Sequence, residues 1–517
     1  MSLSAIDPIV ATRQGALRGA RAGDCLVFRG IPYAAPPLGP LRFRPPVPHP
    51  AWPEVRDALD FGPAAPQLPA TDITESGSNI VDEDCLTLNV WALAATAKPR
   101  PVMVWIHGGA FIEGSARNHW YDGTTLASRG DVVVVTVQYR LGPFGFLELG
   151  EPGGAAEAGC GNAGLLDQVA ALRWVHENIA AFGGDPANVT LFGESAGGAA
   201  VAMLLGLPSA RGLFHKAIVQ SLSPQLGRPL ALARSITRGF MQAAGARTLE
   251  DLRALRRDDL LDAWSRLRED GHEGAEFSPT IDGDVLPDHA IQRLRAGHGD
   301  GIPLLIGTTL DEFRFFTEIE DVGLLRKPAA LFARQLAGVA GEDAAAIRAA
   351  YDLDGATEGE GRMFIAGDVV FRIPSIRIAE HLGATQDVWM YLFTYRSTAA
   401  HRNYQSAHAM ELPFLFGTLE DRGAVSFTGR TPGRERLAAA MQDAWTSFAH
   451  TGVPSSPLLP EWPRYDAQRR ATMALDVVPA LVDDPYAGHR RAWAGVPFDA
   501  RRPTQVTIET LLFVEED

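Results

Sequence analysis

The chain has 517 residues, 46% of them hydrophobic and 21% charged, with a formal net charge of −15. That length allows one large core or several ordinary domains, and the composition is that of a globular protein. The acidic balance argues against a nucleic-acid or anionic-membrane surface, and no apolar run reaches the ~18 to 20 residues of a membrane span. Three cysteines, Cys25, Cys85 and Cys160, without a C-x-x-C spacing, read as reduced thiols. Asp7 and Pro8 interrupt the start before an apolar segment forms, so no secretory signal is read and a cytoplasmic protein is expected.

In chain order, the first ~70 residues are rich in proline and arginine, as in Gly30-Ile31-Pro32-Tyr33-Ala34-Ala35-Pro36-Pro37. Consecutive prolines remove backbone donors, so this stretch is expected to be an extended surface or edge region. Apolar runs rich in Val, Ile and Leu follow at 101–106, 131–139, 188–192, 216–220, 303–307 and 388–395. Each has the length of a buried strand. Between the second and third runs, residues 162–181 place Leu165, Val169, Leu172, Val175 and Ile179 on one helical face. Gly183-Gly184 stops that helix, and no phosphate-loop pattern accompanies it. Strand and helix alternation predicts an α/β fold built on a mostly parallel sheet, with ligands at the carboxyl ends of its strands. The connections 221–302 and 311–387 are too long for simple crossovers and carry helical patterns at 249–267 and 344–351. They are expected to be helical cap insertions, approximately 222–302 and 313–387, on a single module spanning 1–517.

The pentapeptide Gly193-Glu194-Ser195-Ala196-Gly197 follows the third apolar run and precedes a run of small residues. It reads as a serine nucleophile on a sharp strand-to-helix turn, where glycines two positions either side let the backbones approach without a Cβ clash. The pattern alone arises by chance roughly 0.2 times in such a chain, so context must carry it. In a sheet of this kind the acid follows the nucleophile and the histidine comes last. The acid is then Asp311 or Glu312, just past the fifth run, and the base is His401 or His408, past the sixth. Position leaves both pairs open. Glu194 either polarises the site or serves as a structural hydrogen-bonding residue.

Several further blocks occur in order: Phe28-Arg29-Gly30-Ile31-Pro32-Tyr33-Ala34, Glu83-Asp84-Cys85-Leu86-Thr87-Leu88-Asn89-Val90-Trp91, Trp105-Ile106-His107-Gly108-Gly109-Ala110-Phe111, Gly161-Asn162-Ala163-Gly164-Leu165-Leu166-Asp167-Gln168 and Phe182-Gly183-Gly184-Asp185-Pro186. With the serine elbow, they resemble the type-B carboxylesterases of the α/β-hydrolase superfamily from Pro8 almost to the end. The resemblance implies a triad of Ser195, Glu312 and His408, the acid from Gly307-Thr308-Thr309-Leu310-Asp311-Glu312 and the base from His408-Ala409-Met410-Glu411-Leu412-Pro413-Phe414. It implies an oxyanion hole of the Gly109, Ala110 and Ala196 N–H groups, Ala110 standing where many relatives have a third glycine.

Phe111, Leu222, Phe313 and Phe371 are the expected substrate-contacting side chains. Phe313 replaces a glycine usual after the acid, and Leu222 a residue often glycine. Relatives often pair the cysteine at position 85 with an upstream one, but residues 62–67 contain none, so Cys85 is expected to be a free buried thiol. A choline ester is not expected, because residues 71–82 hold no aromatic to receive a quaternary ammonium. The expected activity is hydrolysis of uncharged, moderately apolar carboxylic esters through an acyl-serine, by a monomer or homodimer, with no metal and no cofactor. The competing readings are an amide, carbamate or lactone hydrolase on the same triad, and a non-catalytic binding protein. Relatives of the second kind lack the serine or histidine, which this chain keeps.

Overall fold

The structure, a computed structural model, describes residues 7–69, 80–94, 98–223, 227–269, 277–320, 324–353 and 358–497. Its centre is an 11-stranded sheet. The strands are β1 (Ala20–Ala22), β2 (Cys25–Pro32), β3 (Thr87–Leu93), β4 (Arg100–Ile106), β5 (Val133–Val137), β6 (Gly184–Glu194), β7 (Lys216–Gln220), β8 (Leu304–Thr309), β9 (Val388–Phe393), β10 (Ala471–Leu475) and β11 (Ala480–Asp483). Across the sheet the order is β11-β10-β9-β8-β7-β6-β4-β5-β3-β2-β1. Pairing is parallel from β10 through β5 and antiparallel beyond, at both ends. The parallel strands are buried on both faces, which is why β5 reads Val-Val-Val-Thr-Val with no polar alternation. All six apolar runs of the sequence are strands.

Two helices position the centre of the sheet. α1 (Ala163–Asn178) buries Leu165, Leu172 and Val175 and passes into a short 3₁₀ turn closed by Gly183 at φ +80°. α2 (Ala196–Leu205) is buried at all ten positions, and its small residues let it lie against strand backbone. Two blocks of the sequence are anchors for these elements. Arg140, after β5, places Nε and Nη2 on both oxygens of Asp167 in α1 at 2.8 and 2.7 Å. Arg42 grips Glu83 in the same bidentate manner and also donates to the carbonyls of Arg253 and Leu255.

The N-terminal stretch departs from an all-surface reading. β1 is an edge strand, but β2 is interior, with Cys25, Phe28 and Ile31 fully buried. Asn89 explains this, because its side chain accepts from Gly30 N–H on β2 and donates to Thr136 on β5, tying strands on either side of β3. The β7 to β8 connection carries helices Leu230–Ala243, Leu249–Ala254, Arg257–Glu269 and Ala290–Arg295. The 249–267 pattern is two helices rather than one, since Leu255 takes an extended conformation between them. The β8 to β9 connection holds helices Ala329–Ala340, Ala344–Ala350, Glu358–Gly367 and α3 (Ile373–Leu382), with π-helical turns at Phe316–Glu320 and Asp368–Arg372. Among the described residues no helix is long and apolar enough to cross a membrane.

Candidate active site

Ser195 lies between the end of β6 and the start of α2 at φ +58°, ψ −122°, a conformation that L-residues rarely adopt. The glycines around it allow this turn. A Cβ on Gly197 would lie 2.0 Å from the Ile106 carbonyl oxygen, and one on Gly193 would lie 2.6 Å from the Gly197 backbone. The Ser195 N–H donates to Gln220 O on β7 at 2.9 Å, pinning the elbow to the next strand. Ser195 is partly exposed while its neighbours on both sides are buried.

Glu312 and His408 come from the carboxyl ends of β8 and β9 and meet beside this turn. His408 Nδ1 is 2.5 Å from Glu312 Oε2. The other carboxylate oxygen of Glu312 accepts the Ser221 hydroxyl at 2.6 Å and the Thr309 N–H at 2.8 Å. Asp311 instead accepts the Ser406 N–H at 3.2 Å, bracing the loop that carries the histidine. His401 is exposed on the surface of that loop. Of the two pairs that spacing left open, it is Glu312 and His408 that the structure brings together.

The far side of the imidazole meets Glu194, whose Oε1 is 3.0 Å from His408 Nε2. Among the described residues no hydrogen bond joins the Ser195 hydroxyl to the ring, a contact that commonly tightens only with substrate in place. Burial alone would lower the His408 pKa, but Glu194 and Glu312 outweigh it and push it up to about 9. Burial pushes Glu194 up against the pull of His408, with Glu411 and Glu312 adding to the rise. Glu411 is itself raised by burial and Glu312. It accepts a hydrogen bond from Gln220 Nε2 at 2.9 Å, and Trp445 Nε1 holds the other end of that amide at 3.1 Å. The imidazole thus lies in the field of three buried carboxyl groups, those of Glu194, Glu312 and Glu411.

The loop after β4 lies against the elbow, since a Cβ on Gly108 would lie 3.0 Å from Glu194 Oε2 and 3.1 Å from Ser195 Cβ. Gly109, Ala110 and Phe111 have φ of +102°, +51° and +63°, three left-handed residues in succession. His107, fully buried and kept neutral by burial, hydrogen-bonds the Gly108 carbonyl through Nδ1 at 2.8 Å. The C=O and N–H of a trans peptide point opposite ways, so fixing Gly108 O also fixes the direction of the Gly109 N–H. Gln67 completes the support, bonding both the N–H and the C=O of Gly114. The N–H of Ala196, at the first position of α2, has no partner within its helix.

Of the four expected pocket residues, Phe371 is against the site, its ring 4.7 Å from that of His408. Phe313 packs on Phe316 at a tilt, and Phe316 is itself 5.3 Å from the imidazole. The Phe111 ring packs on Tyr139 and Phe146, and Leu222 is fully buried directly after Ser221. Sequence reasoning missed Phe315 and Phe316, although an aromatic run after the acid was the available signal. It also missed Ser221, Gln220 and Glu411, which follow from strand adjacency alone. Cys85 is buried and free, as are Cys25 and Cys160. Residues 71–79, most of the stretch without a choline-binding aromatic, lie outside the described residues.

A strained serine elbow at the carboxyl end of a mostly parallel sheet, flanked by a histidine–glutamate pair, defines a serine hydrolase of the α/β-hydrolase class. More particularly, the chain belongs to the carboxylesterase family, whose profile it matches over residues 6–493. It is 39% identical to the para-nitrobenzyl esterase of Bacillus subtilis (strain 168), over 93% of this chain and 98% of that one. Identity to the phenmedipham hydrolase of Pseudarthrobacter oxydans is 35%, over 98% and 99% of the two chains. A crystal structure of the Geobacillus stearothermophilus carboxylesterase superposes with a TM-score of 0.85 at 43% identity, covering 94% of this chain and 99% of that one. The protein is a carboxylic ester hydrolase.

Proposed function

We propose that Ser195, His408 and Glu312 form the catalytic triad and that the substrates are uncharged, moderately apolar carboxylic esters. The observation that carries the reading is the position of His408, hydrogen-bonded to Glu312 on one nitrogen and facing the elbow with the other, under a wall of Phe315, Phe316 and Phe371. Ser195 Oγ attacks the ester carbonyl carbon as His408 Nε2 takes its proton, and the carbonyl electrons move to oxygen. The N–H groups of Gly109, Ala110 and Ala196 receive that oxyanion. When it collapses, the bond to the alcohol oxygen breaks and His408 returns the proton to the leaving alkoxide, giving acyl-Ser195 and free alcohol. Water then attacks the acyl carbon by the same route, releasing acid and restoring the serine. Glu312 holds Nδ1–H throughout and stabilises the imidazolium, while Ser221 and Thr309 keep the carboxylate in place.

The aromatic wall favours apolar groups beside the base, and the buried carboxyl groups disfavour an anionic substrate. The chain insertions carrying Phe316, Phe371 and Leu222 serve as a cap. An organophosphate is expected to label Ser195 stoichiometrically, read by mass spectrometry of the digested protein. Ser195→Ala is expected to remove turnover by up to ~10⁶ without unfolding the protein. His408→Ala is expected to be severe and His401→Ala mild. Labelling elsewhere, or the reverse ranking of the two histidines, overturns the assignment.

A further inference from the structure

A buried polar cluster lies behind the aromatic wall and takes no part in the hydrolytic chemistry. Its centre is Asp368, first residue of the π-helical turn Asp368–Arg372 that also carries Phe371. Asp368 is 3% exposed. Its oxygens receive Arg372 Nε at 2.5 Å and Nη2 at 2.8 Å, and Tyr351 donates its hydroxyl to the same carboxylate. Burial raises the Asp368 pKa, but Arg372 and His489 outweigh it and hold the carboxyl ionised well below the usual range.

Two members of the cluster come from the C-terminal segment, around the short helix α4 (Ala487–Ala492). His489 places Nδ1 3.3 Å from Asp368 and stacks on the Tyr351 ring at 3.9 Å. Trp493 Nε1 donates to the Tyr351 hydroxyl at 2.9 Å. Arg372 reaches the same segment, donating to Pro485 O at 3.2 Å. A π-turn strains a helix by one extra residue and needs support from outside it. Here that support is charged and buried, and the ring it presents, Phe371, lies parallel to Phe316 within 9° and over the imidazole.

We propose that the C-terminal segment is a brace that sets substrate selectivity: through Tyr351 and Asp368 it fixes the π-turn, and so the position of Phe371 against the reacting groups. His489 and Trp493 are positioning residues in this arrangement, remote from the ester. Removing the brace lets the Phe371 ring retreat, which widens the apolar side of the site and favours longer acyl chains over short ones. The inference rests on the triad reading above, because Phe371 matters only if His408 is the base.

The test compares kcat/KM for p-nitrophenyl hexanoate and acetate in the parent, His489→Ala, Phe371→Ala and the double variant. His489→Ala is expected to raise the hexanoate-to-acetate ratio by at least about threefold, a modest coupling for residues in one network. In the Phe371→Ala background the same substitution is expected to leave the ratio unmoved. Equal loss on both esters, or a shift that persists without Phe371, overturns the brace. If His489→Ala does not fold, Tyr351→Phe deletes one hydroxyl from the same cluster and is read by the same ratios. Organophosphate labelling of Ser195 in the parent runs alongside. Its failure counts against the triad, whereas intact labelling with an unmoved ratio overturns the brace alone.

Discussion

His408 Nε2 lies 3.0 Å from Oε1 of Glu194, so the nitrogen proposed to take the serine proton faces, at rest, the carboxylate of the residue immediately before the serine. A base so placed works only when its proton has been given up. Glu194 and Glu312 push the His408 pKa up to about 9 against the effect of burial. The neutral imidazole is the active form, so kcat/KM is expected to rise with pH and to reach its plateau on the alkaline side. Glu194→Gln removes one of the two main charges that favour the protonated ring. The acid-limb midpoint is expected to fall by about one pH unit, the low end for a carboxylate within hydrogen-bonding distance. An unchanged midpoint in the pH–rate profile counts against Glu194 as a competitor for the base.

Ser221 is the hidden partner of the proposed acid, Glu312. It is fully buried, holds φ at +46° and donates to Glu312 Oε1 at 2.6 Å. Ser221→Gly removes the hydroxyl and at the same time relieves a left-handed conformation that glycine adopts freely. Turnover is expected to fall about ten- to thirtyfold with KM little changed, the scale of one hydrogen bond to a charged group. Thermal stability is not expected to fall with it. A loss of stability with turnover intact would mean that the serine serves the fold rather than the acid.

The elbow was legible because its requirements are local: two glycines, a preceding apolar run and a following small-residue helix. The parallel strands were legible for a related reason, since burial on both faces leaves an unbroken apolar run, as in Val133–Val137. The antiparallel flanks were not. Cys25–Pro32 contains Arg29 and Gly30, and its place inside the sheet rests on pairings distant in sequence, among them the Asn89 contact 59 residues away. Asp311 and Glu312 differ by one position, and it is the turn after β8, with Thr309 N–H and Ser221 both bonded to the Glu312 carboxylate, that sets the two side chains in different surroundings. The two π-turns leave no compositional mark, since each is a single extra residue in a helix.

The Arg140–Asp167 pair joins the loop after β5 to α1, with side chains 2% and 0% exposed. Neither charge has water to fall back on. Asp167→Asn leaves the Arg140 guanidinium buried without a counter-charge, and the expected cost is ~3–5 kcal/mol of stability. Urea unfolding followed by tryptophan fluorescence reads this directly. KM measured on the folded fraction is expected to stay near the parent value, because Asp167 acts on the scaffold and not on the ester. A stability change under ~1 kcal/mol would place the pair among weak surface-like bridges.

Ala110 separates stability from catalysis in the opposite direction. It sits at φ +51° between Gly109 and Phe111, both also left-handed, and an alanine pays steric strain there that glycine does not. The proposed oxyanion donor is its backbone N–H, which glycine retains. Ala110→Gly is therefore expected to gain up to ~1 kcal/mol in unfolding free energy, less what the freer unfolded chain takes back. Turnover is expected to remain close to the parent, since His107 and Gln67 still hold the loop through Gly108 and Gly114. If turnover instead falls by the ~10² to 10³ of a lost oxyanion donor, the methyl group of Ala110 is what keeps the N–H aimed.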